Sequence, residues 1–168
     1  MAHTRERETY TVSFENVMLI ENALEGRDRV IFKLLSRCGP RAGEAFAVQW
    51  QDLQPDQSLR IQRTYSRGEI KPPKTKKSRK PIYLPKSLYK DLLELKGKAE
   101  DTSPSAWIFP AERQRRRPLP SGELAESRGR MPMDYHNWVN RKLKPVADKL
   151  NGKFSDADFT PSTRFIRP

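Results

Sequence analysis

Apolar positions set the first elements. Phe14, Val17, Met18 and Leu24 recur at helical spacing, after Ser13, which suits an N-cap, and before Gly26, which ends the run. A second helix is predicted from about Asp28, where Val30, Ile31, Leu34, Leu35 and Cys38 form the most apolar segment of the chain. It stops at Gly39-Pro40, a pair that cannot continue a helix, and a third helix restarts at once after Arg41, carrying Glu44, Phe46, Val48 and Trp50. The period then changes to two. Leu59, Ile61 and Tyr65 alternate with Arg60, Gln62 and Thr64, a strand with one covered face and one wet face. Ile70 and the apolar segment at 82–84 complete a small three-stranded antiparallel sheet, with Pro72-Pro73 marking an edge strand and a basic run at the tip of the last hairpin.

Beyond the sheet, Ser87 is predicted to cap a helix that turns Leu88, Tyr89, Leu92 and Leu93 inward and ends near Gly97. Residues 101–105 read as a turn and Trp107-Ile108-Phe109-Pro110 as a short apolar segment. From 111 to 132 the composition shifts to Arg, Pro, Gly and Ser, the mark of a long loop. Asp134 then caps a last helix with Tyr135, Trp138, Val139 and Leu143 on its inner face. Val146, Ala147 and Leu150 continue the pattern past an expected kink at Lys144-Pro145. The fold class is α+β, mainly helical, with residues 1–10 a flexible lead-in and 11–168 a single domain.

Charge narrows the partners. Thirty-three Lys and Arg against 21 Asp and Glu leave a net +12 in 168 residues, a field that favours polyanions. No apolar run reaches the roughly 20 residues of a membrane span, and the N-terminus lacks the layout of a signal peptide. Nucleic acid or an anionic membrane surface would each satisfy that field, and a soluble, cytoplasmic protein is expected. A single cysteine, Cys38, cannot form an internal disulfide and reads as a small core residue. His3 and His136 lie far apart in sequence, so no metal site and no cofactor are expected.

The chemistry-bearing stretch is 34–52. Arg41 stands at a helix-to-helix corner, where the next helix offers unpaired N–H groups and the positive end of its dipole, a natural setting for a phosphate; a solvated surface arginine is the ordinary alternative. Glu44 lies three residues on, close enough to touch Arg41. Arg41-Ala42-Gly43-Glu44, preceded by an apolar helix and a glycine turn and followed by Trp50 and Asp52, resembles the first arginine box of tyrosine recombinases of the phage-integrase type. The resemblance implies an integrase catalytic-domain-like helical bundle in which Arg41 grips the DNA phosphate being cut and Glu44 supports it. The segment 73–85, PKTKKSRKPIYLP, is similar to the hairpin on which that family carries the lysine that protonates the departing 5′ oxygen. That role passes by resemblance to Lys74, with Lys76 as the alternative. Lys76, Lys77, Arg79 and Lys80, together with Arg115, Arg116 and Arg117 in the long loop, suit contacts to the DNA backbone, or remain solvated charges. The Trp-Ile-Phe-Pro segment also resembles an element many integrases place before their active-site helices.

The likeness ends near the C-terminus. After Phe159-Thr160-Pro161 the family shows His-x-x-Arg and later a nucleophilic tyrosine; here Ser162 and Phe165 stand at the histidine and arginine places, and no tyrosine follows Tyr135. Tyr135 itself lies on the apolar stripe and reads as core. The chain is thus expected to be a partial catalytic domain, without the nucleophile segment and without the N-terminal core-binding domain. The resemblance implies that it would bind double-stranded DNA as a nucleoid-associated protein with no membrane partner, alone or with intact recombinase protomers or copies of itself, without recombining it. The alternatives are a regulatory recombinase remnant and an unrelated basic nucleic-acid-binding module.

Overall fold

The first two predicted helices form as the apolar spacing requires. The computed structural model describes residues 11–12, 14–73, 81–112, 131–150 and 164–165. Helix α1 spans Phe14–Ala23 and α2 spans Gly26–Lys33, continued by a π-helical turn at Leu34–Cys38. The turn coincides with buried Ser36, whose hydroxyl donates to the Phe32 carbonyl at 2.8 Å and so competes with the helix ladder. Gly39 follows in the left-handed conformation at φ 67°, which glycine adopts without a Cβ clash, and ends the segment. The third helix is shorter than its apolar pattern implied: α3 covers only Ala42–Phe46, and Trp50–Asp52 form a separate 3₁₀ turn. Helix α4 spans Lys86–Gly97, with Pro85 rather than Ser87 at its cap. The C-terminal part comprises α5 (Tyr135–Trp138), a second π-helical turn (Val139–Leu143) and α6 (Lys144–Lys149). Pro145 removes the N–H that an α-ladder would send to residue 141, and the wider turn just before it absorbs the defect, so the expected kink takes this form.

The expected three-stranded sheet is instead split. Among the described residues, β2 (Ser58–Leu59) pairs antiparallel with β5 (Ile82–Tyr83), while β3 (Thr64–Ser66) pairs antiparallel with β4 (Glu69–Lys71) as a separate hairpin. The cause lies in the chain between β2 and β3. Arg60 N–H donates to the Asp52 carbonyl at 2.9 Å, and the Arg63 guanidinium donates to the Asp52 carboxylate at 2.6 Å, which draws this segment toward the 3₁₀ turn and out of a common ladder. The alternation itself survives, with Leu59 and Ile61 buried and Arg60 and Gln62 exposed. A further two-residue parallel pair joins β1 (Thr11–Val12) to β6 (Arg164–Phe165). Residues 1–10, the predicted N-cap Ser13, the basic run 74–80, and residues 113–130, 151–163 and 166–168 lie outside the described residues.

The core gathers Ile20, Ile31, Phe32 and Leu34 from the first two helices, Phe46 from α3, Leu88 and Leu92 from α4, and Trp138 and Leu143 from the C-terminal helices. Cys38 packs against this cluster, as its spacing implied. Two predicted inward residues are corrected: Phe14 is 47% exposed and Leu93 46% exposed. Both sit at the margin of their helix's apolar stripe, where spacing alone does not say how far the covering neighbours extend. The apolar segment at 107–110 runs between two other extended pieces. Ile108 N–H donates to the Val48 carbonyl at 3.0 Å, and Met133 N–H donates to the Phe109 carbonyl at 2.9 Å. That three-piece arrangement carries the start of α5 to the side of α3.

Candidate functional site

Arg41 forms the N-cap of α3 in extended conformation, and its carbonyl accepts from the N–H groups of Glu44 and Ala45, each at 2.9 Å. Glu44 folds back on it. One carboxylate oxygen accepts from the Arg41 backbone N–H at 3.0 Å and the other meets the Arg41 Nη1 at 3.2 Å. The carboxylate side chain is 8% exposed while the arginine side chain is 67% exposed. Glu44 is therefore buried, not the surface ion-pair partner that its spacing taken alone favours, and it orients a largely exposed guanidinium.

Gly43 explains how α3 comes to rest here. A Cβ at this position would lie 2.6 Å from the Thr64 hydroxyl oxygen and 2.6 Å from the Tyr65 carbonyl oxygen, closer than real contacts permit. Only glycine lets the first turn of α3 lie directly on β3. On the opposite side, Asp134 caps α5 by accepting the Asn137 N–H at 2.9 Å, as predicted from the sequence. Tyr135 packs edge-on against Phe46 with ring centroids 5.8 Å apart.

These elements enclose a cleft of about 1110 Å³. Its floor is the Arg41 to Glu44 turn; one wall is the β3–β4 hairpin, including Arg67 and Lys71, and continues to Pro72; the other wall is Asp134, Tyr135 and His136. Among the described residues three carboxylates face three full cations. Glu44 holds Arg41, Glu69 pairs with Lys71, and Asp134 is engaged in its cap. Burial pushes the Tyr135 phenol up to about 12, so it is neutral at physiological pH. Burial also raises the Tyr65 phenol, with Asp134 adding to the shift. Outside the cleft lining, Asp52 accepts from the Gln49 N–H at 2.8 Å and from Arg63 at 2.6 Å. Its own burial nevertheless raises the carboxyl above its ordinary value. Arg63, which it holds, directly precedes β3.

Of the residues nominated from sequence, Arg41 and Glu44 come together as their spacing implied. Lys74, Lys76, Lys77, Arg79 and Lys80, and Arg115, Arg116 and Arg117, lie outside the described residues. Sequence reasoning did not nominate Arg67, Lys71 or His136 as cleft residues. The Arg67-Gly68 turn was the available signal for the first, and nothing local signals the others. Tyr135 is in the aromatic cluster as expected, yet one edge lines the cleft. Among the described residues no helix is long and apolar enough to cross a membrane, and no group of three His, Cys, Asp or Glu is placed to hold a metal ion. Neither a protein-family model nor any curated protein matches the chain, so the likeness to tyrosine recombinases rests on the residues that carry it.

Proposed function

We propose that this chain is DNA-binding catalytic-domain sequence of a phage-integrase-type tyrosine recombinase, and that the 168-residue polypeptide holds DNA without exchanging strands. The observation that carries the reading is the Arg41–Glu44 unit. A largely exposed arginine side chain stands at a helix start on a wide cleft, and a buried carboxylate holds both its backbone N–H and its guanidinium. Such a cation suits a phosphodiester, whose charge rises in the transition state of phosphoryl transfer. The net +12 supplies a longer-range attraction for the same polyanion.

Strand exchange also needs a side-chain nucleophile that forms a phosphotyrosine. No tyrosine follows Tyr135 in these 168 residues, and Tyr135, with its phenol pushed up to about 12 and its ring against Phe46, is poorly suited to attack. The test has two arms. The chain should bind duplex DNA with an affinity that falls steeply between low and physiological salt, and Arg41→Ala should weaken binding on the order of tenfold while keeping the far-UV circular dichroism of the fold, with a lower melting temperature because the buried Glu44 carboxylate loses its cation. Supercoiled plasmid carrying a cognate site should show neither nicks nor a protein-linked strand. A salt-independent affinity, an unaffected Arg41→Ala variant or a covalent adduct would each overturn the reading.

A further inference from the structure

The β3–β4 hairpin closes through Ser66-Arg67-Gly68-Glu69, with φ 52° at Arg67 and 83° at Gly68. Two successive left-handed residues make the tight hairpin turn that favours Asn-Gly or Asp-Gly, because a short polar side chain or none tolerates that backbone. Arginine is a poor choice there. A long side chain at positive φ carries a backbone cost that its folded environment does not return, since among the described residues no carboxylate pairs with Arg67. The neighbouring cations differ, with Arg41 held by Glu44 and Lys71 by Glu69. Arg67 is exposed, lines the cleft on the wall beside the Arg41 turn, and among the described residues has no carboxylate to offset its charge.

We infer that Arg67 is a DNA-backbone contact, a second phosphate ligand that seats the duplex against the hairpin wall while Arg41 holds the phosphate at the floor. The inference rests on the DNA-binding reading of the cleft. A phosphate, rather than a base edge, is the fitting ligand, because a solvated guanidinium at a hairpin tip neutralises backbone charge without any neighbouring group to fix it against one base. The strained turn is then explained: the position is occupied for its charge at the expense of the fold.

This makes opposite demands on stability and binding. In Arg67→Asn the backbone strain is relieved and the charge lost. Its melting temperature should equal or exceed the parent's, while its affinity for a fluorescent mixed-sequence duplex falls roughly three- to tenfold at low salt. The slope of log affinity against log salt should shrink by about 0.9, the share of one phosphate. Arg67→Lys should retain the parent's slope. Unchanged affinity and slope in Arg67→Asn, in a parent that binds DNA, would overturn the Arg67 assignment alone. A melting temperature that falls together with affinity would mark a structural role and also overturn it. A parent chain that does not bind the duplex would remove the underlying reading and this inference with it.

Discussion

At the scale of single residues, burial divides the work between neighbours. Glu44 is inside and Arg41 is outside, three positions apart, because the first turn of a helix puts the capping residue and the third helical residue face to face. Tyr135 shows the same division within one side chain, its ring in the aromatic cluster beside Phe46 and Trp138 and its edge on the cleft. The folded protein favours the neutral phenol, with a folded value of about 12 against an ordinary 10.0. The residue therefore supports folding below pH 10 and withdraws that support as pH climbs from about 10 to about 12. Following phenolate absorbance through an alkaline titration should reveal a late step that disappears in Tyr135→Phe. If the titration curves of parent and variant differ only by one ordinary tyrosine near pH 10, the ring is not buried as described.

At the scale of elements, the cleft depends on how closely α3 lies on β3. Gly43→Ala would drive a methyl into the Tyr65 carbonyl, a backbone atom that cannot rotate away. The variant is expected to lose about 1–3 kcal/mol of stability and to bind DNA more weakly, because the Arg41 turn shifts with α3. Unchanged thermal unfolding would contradict the contact. The sequence showed that position 43 was glycine between Arg41 and Glu44, but not what it touches, because the partner lies twenty-odd residues away and contributes a backbone carbonyl. Periodicity revealed the helices at Val17, Val30 and Leu88 because a buried stripe repeats in the chain itself. It could not reveal that Asp52 draws residues 60–63 away and divides the sheet, since that pull comes from Arg63 meeting a carboxylate across a turn. The exposure of Phe14 and Leu93 was illegible for the same reason: a stripe is local, its cover is not.

At the scale of the whole molecule, positive charge is abundant, yet the described cleft is nearly balanced, and much of the excess lies in residues 74–80 and 113–117, outside the described residues. The basic runs were legible as composition and the arginine corner as a motif; that both serve one phosphate is the central proposition. β4 ends at Lys71, and Pro72 still lines the cleft. A double-mutant cycle on DNA affinity, using Arg41→Ala, Lys74→Ala and the pair, tests the proposition most directly. Two cations on one phosphate should be coupled, the double variant departing from the sum of the single losses by about 0.5 kcal/mol or more. Losses that add to within about 0.3 kcal/mol would place the two groups on independent sites and contradict the account.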